Sequence, residues 1–215
     1  MKFISMLFCF LFLYSCSAQK QDNFKKISNN FYLNMVNNHV VRKKYFINEI
    51  NDRFVSDSSF DESIYYYKGD SICKGLLSNF IDIQSIQNID SQLIYFRDKR
   101  NVYYFHASAD GGDLYLIRDA NQKSFKSICF EFAKDDKSVF YRNDKLNDLV
   151  PQETKCLFNK LTPANIFYVK DKKSIYYKSF RIDSADASSF ELINGKNADA
   201  KDKSFFYLRG KRVVY

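Results

Sequence analysis

The chain has 215 residues, 33 Lys+Arg against 25 Asp+Glu, and a formal net charge of +8. That length suits one folded domain or one repeat array, and 6 Gly with 2 Pro exclude collagen-like and low-complexity chains. Aromatic residues dominate the apolar fraction, with 22 Phe and 16 Tyr but no Trp.

Lys2 is followed by an apolar run over residues 3–14, interrupted by one serine. A run of about 12 residues suits the hydrophobic region of a signal peptide and is too short to span a bilayer. The run ends in Leu13-Tyr14-Ser15-Cys16, which resembles the lipobox of bacterial lipoproteins. The resemblance implies a signal peptide over 1–15 and acylation of the Cys16 thiol, with palmitate-type chains holding the new N-terminus in the membrane. Several chains anchor stably, since each buried methylene contributes about 0.8 kcal/mol and one chain alone is marginal. Ser17, where an Asp would retain the protein at the inner membrane, points by analogy to the outer membrane of the bacterial cell envelope. An ordinary secretory signal cut near Ser17-Ala18 is the alternative.

Residues 16–26 then read as a polar tether, and 27–59 as an opening, capping segment. Within it, Phe46, Ile47, Ile50 and Phe54 fall on one face of a helix over 45–54. A degenerate strand-bearing repeat is the competing reading.

From residue 60 onward the sequence repeats itself. The clearest copy is Val169-Lys170-Asp171-Lys172-Lys173-Ser174-Ile175-Tyr176-Tyr177, a strand end, a charged turn and an aromatic strand. Asp is favoured at the first position of a type I turn because its carboxylate accepts a hydrogen bond from the N–H two residues on. Related copies start at Asp61, Asp98, Asp135 and Asp202, so the five starts lie 37, 37, 36 and 31 residues apart, within the band of repeat architectures. Asn30-Phe31-Tyr32-Leu33 is a possible decayed copy.

The Asp-Lys-x-x-Val-Tyr-Tyr runs resemble the DKNYY repeat family over residues 60–215. The resemblance implies exported bacterial proteins and brings no functional residues with it. The fold expected is mostly β, an open stack of antiparallel hairpins, with a closed propeller-like ring as the alternative and a short N-terminal helix.

Candidate chemistry is sparse. Asp110-Gly111-Gly112-Asp113 offers oxygen ligands for calcium, but too few, and a solvated turn is the simpler account. His39 and His106 lack a flanking catalytic signature, and the adjacent carboxylates of Asp61-Glu62 and Asp135-Asp136 make a poor acid–base pair. Beyond Cys16, the mature chain holds Cys73, Cys129 and Cys156. Cys129 and Cys156 are the better pair because they lie in neighbouring repeats, and three free thiols are the alternative. No spacing supports zinc, and no metal or cofactor is expected.

The tyrosines carry the sharper question. Successive strand residues face opposite ways, so every repeat bears rings on both faces. The bland account is core packing. The sharper one is that Tyr66, Tyr103, Phe140, Tyr176 and Tyr207 form an exposed aromatic ladder that binds a glycan or an extended peptide, although such a patch is unusual without a partner. Lysines at turn tips beside aspartates read as a solvated rim rather than a nucleic-acid surface. The functional expectation is therefore a membrane-anchored, non-enzymatic interaction module for an envelope protein or glycan. An envelope enzyme and a structural protein without a discrete ligand are the alternatives.

Overall fold

The computed structural model describes residues 23–28, 31–43, 46–48, 53–55, 60–90, 94–108, 111–158 and 167–214. The expected signal peptide and Cys16 lie outside them. Strands β1 (Phe24–Ser28), β2 (Phe31–Asn34) and β3 (Val40–Lys43) form an antiparallel meander. A hairpin of β4 (Phe46–Asn48) and β5 (Arg53–Val55) follows, and β6 (Phe60–Asp61) returns to pair with β3. Two expectations are corrected here. The tether drawn over 16–26 overlaps a strand that begins at Phe24, and the helix over 45–54 is a hairpin. Phe46-Ile47 and Phe54-Val55 satisfy a strand as well as a helical face, and β4 and β5 pair antiparallel with Ile47 opposite Phe54.

β7 (Ser63–Lys68) and β8 (Ser71–Leu76) make a hairpin around Gly69-Asp70, and a single 3-10 turn, Leu77–Asn79, follows. The copy at Asp61 therefore does not build the repeat hairpin. Only Glu62 separates β6 from β7, too little for a four-residue turn, and the chain passes there from one sheet to the next.

The remaining copies each build a four-stranded antiparallel meander. They comprise β9 (Gln87–Asn88), β10 (Tyr95–Arg97), β11 (Val102–His106) and β12 (Asp113–Leu116); β13 (Lys126–Cys129), β14 (Phe132–Lys134), β15 (Val139–Tyr141) and β16 (Asp144–Leu146); then β17 (Lys155–Cys156), β18 (Tyr168–Lys170), β19 (Ile175–Tyr177) and β20 (Phe180–Arg181); and finally β21 (Glu191–Leu192), β22 (Ala200–Lys201), β23 (Phe206–Leu208) and β24 (Lys211–Val213). β12 also pairs in parallel with β7, which extends the first of these sheets to six strands. The register is conserved from copy to copy: Arg97 faces Val102, Lys134 faces Val139, Lys170 faces Ile175 and Lys201 faces Phe206.

One device explains that register. Asp98, Asp135, Asp171 and Asp202 are buried. One carboxylate oxygen of each accepts the N–H groups two and three residues on, such as Lys173 and Ser174 at 2.7 Å from Asp171. The second oxygen reaches back across the sheet to the N–H that opens a preceding helical turn, at Asp82, Asn121, Val150 and Asp186. The carbonyls of these turns are capped by a cation from the repeat before: Arg97 on Gln122, Lys134 on Pro151 and Thr154, Lys170 on Ala187 and Phe190. A carboxylate at the amide end and a cation at the carbonyl end both complement the turn's dipole.

The sheets stack because both faces of each are apolar. Val102 and Tyr104 pack on Phe125, Ala133 and Phe140 of the next sheet, and Phe132, Val139 and Tyr141 pack on Val169 and Tyr176. Tyr168 and Ile175 pack on Ala200 and Tyr207, while Phe96 and Tyr103 face Phe31 and Val40 on the N-terminal side. Each core cluster joins sheets next to each other in the chain, and none of the sheets closes into a barrel. The architecture is an open stack.

A disulfide joins Cys129 of β13 to Cys156 of β17, linking neighbouring repeats, while Cys73 is free. The pairing chosen for its position in neighbouring repeats is the one formed. The bond closes a loop with a sequence separation of 27. Chain-entropy arguments for such a loop give about 3.5 kcal/mol. Reduction is therefore expected to lower the urea midpoint of the wild type and to leave a Cys129→Ser/Cys156→Ser protein unchanged. Equal urea curves for the wild type with and without dithiothreitol would refute this.

Candidate functional site at a seam between sheets

The expected aromatic ladder resolves into core. Tyr103, Phe140, Tyr176 and Tyr207 are buried between sheets, and Tyr66 is half-buried against the Phe80 ring at 4.9 Å. The hydroxyls of Tyr103 and Tyr207 donate to Asp98 and Asp202 of their own turns, and that of Tyr176 donates to the Asn147 carbonyl. These residues form no exposed face, because each sheet has a neighbour covering the side on which they lie.

The other candidates are also engaged in structure. The buried Arg42 guanidinium donates to the carbonyls of Gly111 and Gly112, lies 3.7 Å from Asp61 and sits over the Phe105 ring at 4.7 Å. In the Gly-Gly loop a guanidinium thus occupies the oxygens that a calcium ion would need. Gly112 has φ +75° and a Cβ there would meet the His106 carbonyl at 2.2 Å, so glycine is required for this contact. His39 pairs with Glu62 at 3.0 Å, and this hydrogen bond holds Glu62 below the usual carboxylate range. Asp135 belongs to the buried turn, while its neighbour Asp136 accepts from Ser124 and Asn121 at the surface. Neither carboxylate pair converges on a common point.

A polar cluster lies between the six-stranded sheet and the β13–β16 sheet. Glu131 accepts from the Tyr104 hydroxyl at 2.7 Å and the Tyr141 hydroxyl at 2.9 Å, and its carboxylate lies 3.0 Å from Arg142 Nε. The Tyr95 hydroxyl donates to the Glu131 carbonyl, and Tyr104 lies 3.4 Å from His106 Nδ1. Burial works against the charge of Glu131, but the hydrogen bonds from Tyr104, Arg142 and Tyr141 outweigh it and hold the carboxyl below its ordinary range. Burial first, and the adjacent carboxylate second, push Tyr104 and Tyr141 far above the ordinary phenol range. Both therefore stay protonated donors at neutral pH, and neither supplies a nucleophile.

On the solvent side of this seam is a cleft of about 290 Å³. Tyr67 forms one wall with Arg118 and Asp119, and Asn143, Asp144 and Lys145 form the other. The Tyr67 hydroxyl donates to Asp144 Oδ1 at 3.3 Å, and Arg118 lies 5.5 Å from the centre of the Tyr67 ring with a hydrogen bond to the Gly69 carbonyl. Partial burial and the neighbouring Asp144 raise the Tyr67 phenol above its ordinary range. The cleft joins residues from three distant stretches of chain, which is why reading along the sequence missed it. The sequence carried no signal for it, since Tyr67 stands six residues after Asp61, where three other copies hold Tyr104, Tyr141 and Tyr177. A second, shallower hollow lies near Asp82, Gln84, Lys99 and Arg100.

Residues 109–214 match the model of the DKNYY family. Over this stretch the chain is similar to the DKNYY family. The match begins inside the first complete meander rather than at residue 60, and it covers the three DKNYY meanders on the C-terminal side of the cleft. Arg118, Asp119 and the Asn143–Lys145 wall lie within the DKNYY stretch, and Tyr67 lies before it. No curated protein and no solved structure matches the chain.

Proposed function

We propose that the protein is a lipid-anchored, non-enzymatic interaction module of the bacterial cell envelope, held in the outer membrane through Cys16. The observation that carries this reading is that the inner sheets are covered on both faces by their neighbours, which leaves the rims of the stack to meet a partner. Groups with catalytic potential support it further. The carboxylates of Asp98, Asp135, Asp171 and Asp202 hold turns, and Glu131 holds two phenols. At the turn tips Lys99, Lys172 and Lys203 pair with Asp82, Glu153 and Asp186, so the rim offers balanced charge rather than a basic track for nucleic acid.

Two measurements test the reading. In fractionated cells the wild type is expected in the outer-membrane fraction and Cys16→Ala in the soluble one. Identical soluble behaviour of both would end the anchoring argument. The purified chain carrying Cys16→Ser is expected to co-sediment with isolated envelope material, and its failure to do so would count against an interaction module.

A further inference from the structure

We propose that the cleft between Tyr67 and the Asn143–Lys145 turn is a binding site for one neutral sugar unit of a glycan. This rests on the interaction-module reading and names a ligand class for it.

The lining decides the class. Arg118 and Lys145 are matched by Asp119 and Asp144, so the cleft has no net charge with which to select a phosphate, a uronate or a metal cation. Its other groups are the carboxamides of Asn143 and Asn147 and the ring of Tyr67. Carboxamides and carboxylates present donors and acceptors in a plane, which matches neighbouring hydroxyls on a sugar ring. A tyrosine offers an apolar face beside a polar tip, which suits the mixed C–H and O–H surface of the same ring. The volume accommodates a single hexose better than a peptide segment.

The next seam shows that this opening is particular to one place. Asn147 and Asp148 follow β16 as Arg118 and Asp119 follow β12, so the two seams can be compared position by position. At the later seam Arg181 of β20 reaches across to Asp148 at 2.9 Å and also meets Asp183 at 3.2 Å. That ion pair closes the gap. At the earlier seam Arg118 pairs only with its neighbour Asp119 at 3.9 Å, and among the described residues no ion pair crosses. Deeper in the seam Tyr95 and Tyr104 donate to Glu131, while at the cleft the crossing contact is the long one from Tyr67 to Asp144, which a ligand hydroxyl can replace.

The test uses the full mature chain carrying Cys16→Ser, with chitotriose and cellotriose as neutral probes and inorganic phosphate, calcium chloride and trigalacturonate as charged ones. Saturation-transfer NMR is expected to show ring protons of a neutral trisaccharide in contact with the protein. Tyr67→Ala and Asn143→Ala are each expected to weaken that binding by about tenfold or more, the loss of one stacked ring or one paired amide. Asn143 is half-buried, so the melting temperature of its variant is measured alongside to report whether the fold is kept. Absence of transfer from both neutral sugars overturns the proposal, as does binding of trigalacturonate or phosphate alone, or neutral-sugar binding that both variants retain. If co-sedimentation with envelope material persists in any of those cases, only the sugar assignment falls. If it is lost as well, the module reading falls with it.

Discussion

Replacing Asp171 with alanine is expected to destabilise the protein by about 4.5–6 kcal/mol, taking each of three charge-assisted bonds near the low end of roughly 1.5–3 kcal/mol. The carboxylate accepts from the N–H groups of Val150 at 2.8 Å and of Lys173 and Ser174 at 2.7 Å, and alanine leaves all three without that acceptor. Asp171→Asn keeps one acceptor oxygen but turns an amide donor toward another donor, so an intermediate loss is expected. Urea unfolding measures both. The same site sets an acid limit. Burial disfavours the Asp171 charge, but backbone N–H donors overcome it and hold the carboxyl below its ordinary range, and Asp202 behaves likewise. A depressed folded value means that the stabilisation is present above the unfolded value of about 3.9 and is lost as pH falls through the folded one. The wild type should therefore lose stability below about pH 4, with a shallower acid limb in Asp171→Asn. Parallel acid limbs would exclude this role for Asp171.

The second large effect is expected at Phe140, whose side chain is fully buried and lies 5.5 Å, ring to ring, from Phe125. Phe140→Ala removes the ring from a seam between two sheets and is expected to cost about 3–5 kcal/mol. Measured by thermal unfolding, this distinguishes the two accounts of the repeated aromatics. A ring on an exposed ladder would be lost at little cost to stability and much cost to binding. A melting temperature equal to that of the wild type would restore the ladder at this position.

The turn chemistry was legible because it is local. An Asp followed by two polar residues and an alternating aromatic strand specifies its own hairpin, and four copies obey it. The copy at Asp61, which does not build the hairpin, differs in sequence too, since it lacks the lysine that each of the other copies carries within two residues of its Asp. The stretch from Phe46 to Val55 was ambiguous because its apolar residues fit both periods, and partner strands decide such cases. Contacts between distant residues left no trace in the sequence. Nothing near Arg42 shows that its guanidinium would close a glycine loop 69 and 70 residues away. The cleft was hidden for the same reason, being assembled from Tyr67, Arg118 and the Asn143 turn.

The meander connectivity also dictates how the chain can acquire its shape. β13 to β16 pair only with strands adjacent in sequence, and so do β17 to β20 and β21 to β24. Loop-closure entropy for such neighbours is small, so each unit can form as soon as its own residues are free and then template the next. Two pairings depart from this, β3 with β6 across one short hairpin and, over a longer stretch of chain, the parallel pairing of β7 with β12, with Tyr65 opposite Tyr115. The second is the more demanding. It must wait until the hairpins between them have closed, and it is the step on which topology places the delay. A chain threaded through a membrane from its N-terminus would thus hold β7 and β8 as an unfinished edge until Tyr115 arrives, after which the remaining sheets add in order.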